Sequence, residues 1–549
     1  MQQSGVLKRR ARAPSAGWLG AGLAATLALG ACKGPDLISL GGEVASGDVR
    51  FLSPTGDDAN PGTVDSPWKT LAYAIPKLAP GWTLRLEPGT YEPGTTGTLN
   101  VRCADAGPTS TVPNAIPAPS GEPGNVITVR ADGDRTAVLA GDGRIPPISI
   151  ESCHDWAIEG FYATSQNVDT HATNPDTGSV AVLDGANQDV ALRRLLLAHP
   201  NQNLAKAHLI RIGDGALHVT VETNELYDFH ASGIEVWRSD SPIIARNYIN
   251  SRDLPDLPGV DTVDGTRGDY GVRLQETSNA YVENNVVEDV NTAFAVVGRD
   301  ANVTATVTKV HDNHLLANVA YEPGTIGYLI DSQCAGQNPC DDAHTVNSTT
   351  LENDVAYRGG IGIYDAGSVG TRVDEVSIIQ AARGVYLWKD MHNAAIPATC
   401  FVRDTLALDY QSVAFSAGGN QMTWQFDQCD ASGGYDPTQA YEPDGVANIT
   451  NKVTVTPDLG SCIVYLPAKS VLRMGTISVG ANILYALDEL GQPTPQPLWG
   501  PPVTLCGATV KNVNGDWDAS PKPSCTDVLK QLNVDMPATP SSPGCPLPL

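Results

Sequence analysis

The chain has 549 residues, with 54 glycines, 40 prolines and only 17% charged side chains, and its formal net charge at pH 7 is −26. This composition is typical of a turn-rich all-β protein and argues against a helical bundle. The negative charge argues against general electrostatic binding to nucleic acid or to anionic lipid head groups.

The first 31 residues are predicted to be a targeting segment. Lys8, Arg9, Arg10 and Arg12 precede a largely apolar run that ends at LGAC, residues 29–32. The run is short for a membrane span and ends in small residues, as a cleaved signal peptide does. LGAC resembles the lipobox of bacterial lipoproteins, which implies cleavage before Cys32 and lipidation of its thiol. The alternative is an ordinary signal peptide followed by a chance cysteine.

Acyl chains at Cys32 would anchor the mature chain to a membrane. Lys33, and not aspartate, follows the cysteine, so we expect an outer membrane lipoprotein that faces the cell surface or the periplasm. Residues 32–47 are interpreted as a tether. Removal of residues 1–31 deletes four positive side chains and no negative ones, so the mature chain would carry a formal charge of −30.

Residues 48–91 are predicted to open the folded part of the chain with a single helix. Ser66 is a favourable N-cap residue and Pro67 suits the first helical position. Four apolar side chains fall on one stripe of this helix: Trp68, Leu71, Ile75 and Leu78.

The same segment resembles the opening module of secreted right-handed parallel β-helix proteins, including family 9 polysaccharide lyases (pectate lyases). The resemblance lies in SPTGDDANPGT, PWKTL and GWTLRLEPGTY, within residues 48–91. It implies that the helix caps the N-terminal end of a solenoid, where strand edges would otherwise be exposed.

A strand pattern recurs between residues 210 and 420. Copies begin at Gly233 (GIEVWRSD), Gly271 (GVRLQETS), Gly360 (GIGIYDAG) and Gly384 (GVYLWKDM) and alternate apolar with variable positions. This is the period of a strand with one buried face, and its regular recurrence indicates a repeat architecture. Each repeat is predicted to be one coil of a parallel β-solenoid. Its right-handedness rests on the resemblance and on the bias of parallel crossovers.

Several copies follow a shorter strand that ends in asparagine, at Asn224, Asn247, Asn285 and Asn313. Asparagine tolerates left-handed backbone and bonds to nearby main chain, so these residues are predicted to form tight corners. We assign residues 48–430 to the β-helix with its cap, and residues 431–549 to the last coils and a disulfide-rich C-terminal cap.

Ten cysteines remain besides Cys32, an even number in a chain predicted to be exported. Sequence proximity suggests the following disulfides: Cys334–Cys340, Cys400–Cys429, Cys462–Cys506, Cys525–Cys545 and Cys103–Cys153. Closely spaced CxxC-like pairs, as in zinc sites, do not occur.

Variable positions of the repeats are predicted to point outward and to stack in columns at the strand spacing of ~4.8 Å. We align them as Glu235, Arg273, Ala295, Leu329, Gly362, Tyr386; as Trp237, Gln275, Val297, Asp331, Tyr364, Trp388; and as Arg238, Glu276, Gly298, Ser332, Asp365, Lys389. Aromatic side chains on a flat face offer platforms for sugar rings. The predicted carbohydrate-binding residues are Trp237, Tyr364, Tyr386 and Trp388.

Lyases of the family that residues 48–91 resemble act on uronate polymers. The resemblance implies a cation, often Ca²⁺, that acidifies the C–H beside the substrate carboxylate, and a Lys or Arg that removes the proton. Asp331, Asp365 and Asp390 are the predicted metal ligands. Lys389, Asp365 and Asp331 are the predicted catalytic residues. The family's calcium-binding aspartate cluster has no counterpart that aligns.

A structural interpretation of the same charges stays open. Three pairs of opposite charge share a column in consecutive repeats: Glu235 with Arg273, Arg238 with Glu276, and Asp365 with Lys389. The sequence therefore supports two hypotheses. One is a membrane-anchored β-helix lipoprotein that cleaves uronate polysaccharides by β-elimination. The other is a non-catalytic glycan-binding or adhesion lipoprotein of the same fold. In both, we expect a monomer that binds polysaccharide and no nucleic acid.

Overall fold

A computed structural model describes the folded chain. The described residues are 48–103, 115–165, 178–200, 207–252, 267–298, 310–332, 345–374, 376–388, 399–403, 405–408, 413–418, 423–427, 430–432, 441–443, 447–450, 462–463, 472–474, 477–479, 485–487, 493–497 and 505–506. The predicted signal peptide, lipidation site at Cys32 and tether lie outside these residues.

The strands of residues 48–450 form three faces, and on each face the strands of successive coils pair in parallel. The first face consists of Val49–Leu52, Thr83–Leu86, Ile127–Ala131, His154–Glu159, Gln188–Arg193, Thr220–Glu222, Ile243–Ala245, Tyr281–Glu283, Val310–His311, His314–Leu316, Val346–Asn347, Thr350–Glu352, Val369–Asp374, Thr399–Arg403, Thr423–Asp427 and Ala447–Thr450.

The second and third faces follow the first within each coil. The second face consists of Gly89–Tyr91, Ala137–Ala140, Tyr162–Thr164, Leu196–Ala198, Glu225–Tyr227, Tyr248–Asn250, Val286–Glu288, Val319–Tyr321, Leu406–Leu408 and Asp430–Ser432. The third face consists of Leu99–Cys103, Ile116–Ala118, Ile148–Glu151, Ala181–Asp184, Ile210–Ile212, Ser232–Trp237, Gly268–Gln275, Val290–Val297, Ile326–Asp331, Val413–Gly418 and Tyr441–Pro443. Val355–Ala366 and Ser377–Trp388 run through both of these faces.

This arrangement is a parallel β-helix, as the repeat pattern predicted. One coil, for example, comprises Thr220–Glu222, Glu225–Tyr227 and Ser232–Trp237, and each of these strands pairs with its counterpart in the next coil. Strands make up almost all of the regular secondary structure among the described residues. Among the described residues no helix is long and apolar enough to cross a membrane.

The N-terminal helix is shorter than the sequence suggested. An α-helical turn, Leu71–Ala74, continues into a 3₁₀ turn, Ile75–Lys77. Thr70 is the N-cap residue, because its side chain accepts a hydrogen bond from the amide of Tyr73. The prediction that Ser66 caps the helix was therefore wrong. The apolar stripe was right: Trp68, Leu71, Ile75 and Leu78 are all buried.

The core is a continuous stack of inward side chains to which all three faces contribute. On the first face the stack includes Val221, Ile244, Val282, Leu315, Leu351 and Val373. On the third face it includes Ile234, Val272, Phe294, Tyr328, Ile363 and Val385. Burial of each large apolar side chain stabilises the fold by ~1.5–3 kcal/mol, so every coil contributes to the stability of its neighbours.

An asparagine ladder forms the corner between the first and second faces. Its steps are Asn224, Asn247, Asn285, Asn318 and Asp354. The side-chain oxygen of each step accepts hydrogen bonds from the amide of the step before it, and the side chains are buried. Each asparagine also donates to a backbone carbonyl, as Asn285 does to Ile244. The ladder therefore supplies partners for buried polar groups of the corner.

Two details of the predicted corners differ. Asn313 lies before the first-face strand His314–Leu316, at another corner, and Asn318 is the ladder residue of that coil. The left-handed residue of each corner is the one before the ladder residue, as at Thr223 (φ 55°) and Arg246 (φ 56°). The ladder position selects asparagine for its hydrogen bonds and not for its backbone conformation.

Parallel coils continue to Ala447–Thr450. Beyond them, the described strands form three antiparallel pairs: Cys462–Ile463 with Leu505–Cys506, Leu472–Met474 with Ile477–Val479, and Tyr485–Leu487 with Pro493–Pro497. Cys462 lies opposite Cys506 in the first pair, which is the placement that their predicted disulfide requires. The assignment of residues 431–549 as last coils and cap stays a prediction.

Candidate functional site

The register of the third face corrects the predicted columns. Gly362, and not Gly360, stacks with Gly327 and Gly384, since Ile361 pairs with Ile326 and Ile363 with Val385. A Cβ at Gly362 would lie 2.5 Å from Cγ2 of Ile378, so this position of the coil requires a glycine. The predicted alignment of this repeat was two residues out of register.

The corrected first column is Glu235, Arg273, Ala295, Leu329, Tyr364 and Tyr386. Tyr364 and Tyr386 are thus direct neighbours, and their half-buried rings stack at 5.2 Å with an interplanar angle of 20°. The guanidinium of Arg383 lies 5.0 Å from the centre of the Tyr386 ring. Burial raises the pKa of Tyr364 to about 12, with added contributions from Tyr386 and Asp331.

The corrected second column is Trp237, Gln275, Val297, Asp331, Ala366 and Trp388. Asp331 therefore points outward, as predicted. Its carboxylate contributes to raised pKa values at Tyr364 and Tyr270, although burial is the larger cause at both phenols. The side chain of Trp388 and all of Lys389 and Asp390 lie outside what the structure describes.

Arginines surround Trp237. The guanidinium of Arg238 lies 4.5 Å from the centre of the indole, and that of Arg211, in the preceding coil, lies 5.6 Å from it. Arg273, in the following coil, pairs with Glu235 at 3.2 Å. We call these five residues the Trp237 cluster. Cation–π contacts of this kind contribute ~0.5–2 kcal/mol each and hold the guanidinium groups beside the indole.

Burial disfavours the ionised form of Glu235 in this cluster. Its side chain is only 5% exposed and accepts a hydrogen bond from Ser232. Burial raises the pKa of Glu235 above its ordinary value even though Arg273 and Arg211 oppose the shift. Arg238 also lies 3.1 Å from Glu276 and 3.6 Å from Asp214, so three carboxyl groups accompany the three guanidinium groups at this surface.

Of the three pairs of opposite charge predicted to share a column, two form in the structure and the third does not have the predicted geometry. Glu235 pairs with Arg273, and Arg238 with Glu276 at 3.1 Å, as the structural interpretation proposed. The pairing of Asp365 with Lys389 does not have the predicted geometry, because Asp365 does not lie on the outer surface.

Asp365 points into the solenoid. It stacks between Ile330 and Leu387 and is 0% exposed. Its carboxylate accepts hydrogen bonds from the amide of Ser368 at 3.0 Å and from its hydroxyl at 2.6 Å. Burial raises the pKa of Asp365 to about 6, against these bonds and one with Cys400. The outer-face placement of Asp365 was wrong, and the two-residue shift in register explains it.

Two of the predicted metal ligands, Asp331 and Asp365, lie on opposite sides of the sheet. Asp331 points outward and Asp365 inward, while Asp390 lies outside the described residues. Within the described part of the chain, no group of three or more His, Cys, Asp or Glu side chains is placed to hold a metal ion. Binding of Ca²⁺ stays a prediction.

The sulfur atoms of Cys103 and Cys153 lie 2.10 Å apart, as in the disulfide suggested for them. Cys400 is buried, and its suggested partner Cys429 lies outside the described residues. The suggested pairs Cys334–Cys340 and Cys525–Cys545 lie outside them as well.

Sequence reasoning missed a polar column at the corner between the second and third faces. It consists of the residues that directly follow the second-face strands: Ser165, His199, Asp228, Ser251, Asp289, Glu322 and Arg358. We call it the corner column. His199 Nδ1 lies 2.5 Å from Asp228 Oδ2, Arg267 lies 3.2 Å from Asp289, and Arg358 pairs with Glu322. A signal was available, because each member from Asp228 onward lies four residues after a ladder step.

The first face carries a separate cleft of about 150 Å³. Arg85, Arg130, Glu159 and Arg194 line it together with residues 131–134 and 160. Arg85 pairs with Asp132 at 3.3 Å and Arg194 with Glu159 at 2.7 Å. These pairs balance the charge of the cleft, and we interpret it as part of a structural ladder of ion pairs.

Comparisons with known proteins agree with this architecture. Residues 205–397 match a family described as "Right handed beta helix region". A stretch of 157 residues is 29% identical to the uncharacterized protein YwoF of Bacillus subtilis (strain 168). That match covers 28% of this chain and 29% of YwoF, so this chain spans less than a third of its curated relative.

Solved structures with a similar fold include three carbohydrate-related proteins. A rhamnogalacturonan lyase is 16% identical over 66% of this chain and 82% of its own, with a TM-score of 0.37. The A-module of the Azotobacter vinelandii mannuronan C-5 epimerase AlgE6 is 13% identical over 68% and 91%, with a TM-score of 0.45. Pectate lyase Pel9A is 12% identical over 74% and 78%, with a TM-score of 0.32. At these values the likenesses carry no argument about activity.

Proposed function

We propose that the protein binds an acidic polysaccharide along its third face. The observation that carries this proposal is the Trp237 cluster, in which one indole is flanked by the guanidinium groups of Arg211 and Arg238. An aromatic ring packs against the C–H face of a sugar. A guanidinium matches the two oxygens of a carboxylate and binds them through parallel hydrogen bonds. The cluster thus offers both contacts that a uronate residue needs.

The stacked Tyr364 and Tyr386 rings extend the surface toward the C-terminal coils. Trp237 shares a column with Ala366, four coil steps away, and Ala366 lies two residues after Tyr364. At ~4.8 Å per step the aromatic groups are separated by about 19 Å. A monosaccharide cannot contact both, whereas a chain of several sugars running along the solenoid axis can. The proposed ligand is therefore a polymer.

The net charge of the chain opposes the approach of an acidic polymer, whereas the guanidinium groups of the Trp237 cluster offer direct contacts to its carboxylates. The chain carries a net charge of −26 and repels a polyanion at long range. Repulsion between separated surface charges is screened beyond ~8 Å at physiological ionic strength, and direct contacts between guanidinium and carboxylate are screened less. Moderate salt should therefore favour the encounter while the Trp237 cluster retains the ligand.

β-Elimination is the second function that we propose for this surface. Lys389 directly follows Trp388, which is in register with Ala366 at the end of the third face. A base at that position would act on a uronate bound beside the tyrosines, with Asp331 on the same outer surface. Ca²⁺ would supply the acidification of the C–H bond. The ion pairs of Arg238 and Arg273 favour the non-catalytic alternative, in which these charges stabilise the scaffold.

We also propose that the mature chain is an outer membrane lipoprotein anchored through Cys32. The basic and apolar leader that ends in LGAC supports this proposal. Incorporation of radiolabelled palmitate in a bacterial host would be lost in Cys32→Ala. A chain that incorporates no label, or that retains it in Cys32→Ala, would contradict lipidation at this residue.

Titration calorimetry tests polysaccharide binding. The chain carrying Cys32→Ala would be titrated with polygalacturonate, alginate and a carboxyl-reduced neutral polymer, each with Ca²⁺ or with chelator. We expect binding to at least one acidic polymer and about tenfold weaker binding in Trp237→Ala, equivalent to ~1.4 kcal/mol. Trp82→Ala is the matched control, since Arg50 lies 4.9 Å from the centre of that indole outside the third face. Equal losses in both variants, or equal binding of the neutral polymer, would refute the proposal.

The same samples separate the two functions. Absorbance of unsaturated uronate that rises with the wild-type chain and not with Lys389→Ala would establish β-elimination and its base. Binding without product, weakened by Tyr364→Ala, would establish a non-catalytic binder.

A further inference from the structure

Three members of the corner column have the side chains of a hydrolytic triad in consecutive coils. Ser165, His199 and Asp228 follow second-face strands whose last residues, Thr164, Ala198 and Tyr227, are in register. Adjacent members of such a column are separated by ~4.8 Å, which brings neighbouring side chains within reach of one another.

The His199 and Asp228 side chains form the better-defined half of this group. Nδ1 of His199 lies 2.5 Å from Oδ2 of Asp228, and the two side chains are 5% and 1% exposed. A carboxylate at Nδ1 fixes the orientation of an imidazole and leaves Nε2 to exchange a proton. Since Asp228 lies on the Nδ1 side, Nε2 of His199 is directed away from the coil of Asp228.

Two atoms in this region are buried and have no hydrogen-bond partner among the described residues. They are Nε2 of His199 and Oγ of Ser165, and Ser165 is fully buried. Buried polar atoms almost always have partners, so an orphaned pair on adjacent coils calls for an explanation. The two atoms are not bonded to each other and Ser165 is fully buried, so a local rearrangement that brings them together and admits an ester must precede proton transfer. Such contacts are often loose before a substrate binds.

We propose that Ser165, His199 and Asp228 form an ester-hydrolysing site. Ser165 Oγ attacks the acyl carbon and forms a C–O bond, while its proton passes to Nε2 of His199. The C–O bond to the leaving alcohol breaks, and the alcohol oxygen takes that proton. Water then hydrolyses the acyl-serine, which releases the carboxylic acid and restores Ser165. Asp228 is a positioning residue.

The chemical class of the substrate is an O-acyl ester. Because the corner column lies where each coil enters the third face, we assign the natural ester to acyl groups on the bound polysaccharide. This assignment rests on the proposed function, whereas the hydrolytic site itself does not.

Hydrolysis of 4-nitrophenyl acetate by the full chain tests the site. We expect Ser165→Ala and His199→Gln to lower kcat/KM by about 100-fold or more. His218→Gln should have no effect, since His218 forms a more exposed pair with Asp189 at 3.5 Å. Mass spectrometry of quenched wild-type protein should find an acetyl group on Ser165. Hydrolysis that Ser165→Ala retains, or no hydrolysis by the wild-type chain, would overturn the proposal.

Two further measurements distinguish a role in hydrolysis from effects of the substitutions on folding or on polymer binding. Asp228→Asn should change the pH profile of kcat/KM, and Asp228→Glu should restore part of the rate, whereas a purely structural role predicts a parallel loss of folding. With acetylated polysaccharide, Trp237→Ala should lose acetate release but keep hydrolysis of the small ester. Acetate release that Trp237→Ala retains at the wild-type rate would thus refute the proposed binding and leave the hydrolytic site intact.

Discussion

Replacement of Asp354 by asparagine should stabilise the protein at neutral pH. Asp354 ends the asparagine ladder, and its Oδ1 accepts bonds from the amide of Asn318 at 2.7 Å and from Nδ2 of Asn318 at 3.0 Å. Its Oδ2 is buried and has no hydrogen-bond partner among the described residues. Each ladder asparagine donates Nδ2 to the carbonyl three residues before the preceding step, as Asn318 does to Val282. An asparagine at 354 would by this rule donate to the carbonyl of Leu315.

The size of the effect follows from the buried carboxyl group. Burial raises the pKa of Asp354 well above 3.8, and the bonds from Asn318 only partly oppose it. A buried group without a partner costs ~1–3 kcal/mol, and a new hydrogen bond contributes ~1 kcal/mol. Because the folded state holds this proton more tightly than the unfolded chain, the contribution of Asp354 is present below its unfolded pKa and is lost as pH rises toward the folded value. We expect Asp354→Asn to gain about 1–3 kcal/mol at pH 8 and much less at pH 4.

Urea unfolding at pH 4, 6 and 8 would measure this difference in the wild type, in Asp354→Asn and in Asp65→Asn. Asp65 is an exposed carboxylate of the N-terminal module and controls for the loss of one negative charge. A midpoint for Asp354→Asn at pH 8 that is equal to or below the wild type would refute the reasoning. So would a difference between the two that is the same at every pH.

Three other outcomes follow from the structure. Asn285→Ala should lose about 3 kcal/mol or more of unfolding free energy, because it leaves buried ladder groups unpaired. Asn279→Ala, at the exposed bond to Asp240 and with φ 54°, should lose only the ~1–2 kcal/mol expected for alanine in left-handed backbone; chemical unfolding compares the two variants. Gly271→Ala should be far more destabilising than the ~1 kcal/mol expected for left-handed Gly124, since a new Cβ would meet a valine methyl at 2.2 Å; thermal melts of both test this. Asp365→Asn should flatten the fall in stability from pH 4 to 7, because the pKa of Asp365 is raised to about 6; equal pH dependence in wild type and variant would contradict this.

Much of the fold could be predicted from the sequence because the repeat pattern is local. The alternation around Ile234 and Val236 identified third-face strands, and their inward side chains are buried as expected. The boundaries of the strands and the register between coils were harder to predict from the sequence. The stretch GGIG contains three candidate glycines, and the alternation of apolar residues does not tell which of them stacks with Gly384; in the structure it is Gly362.

The uncertain register of this repeat affected the prediction of the candidate site most. A two-residue shift moved Asp365 from the predicted surface to the interior and placed Tyr364 beside Tyr386. Glu235 and Arg273, which lie in repeats without extra glycines, were paired correctly. The corner column was missed because His199 and Asp228 lie 29 residues apart, outside the strand pattern used for alignment.

The spacing of the ladder corner limits where such a chain can vary in length. Two residues separate Glu222 from Glu225, Ala245 from Tyr248, and Glu283 from Val286. An added residue there would break side-chain bonds to both neighbouring coils. By contrast, the connection from Asn250 to Gly268 is much longer than that from Tyr227 to Ser232. Peptide tags and binding loops grafted at the corner between the second and third faces should therefore be tolerated, and homologous chains should differ in length at that corner.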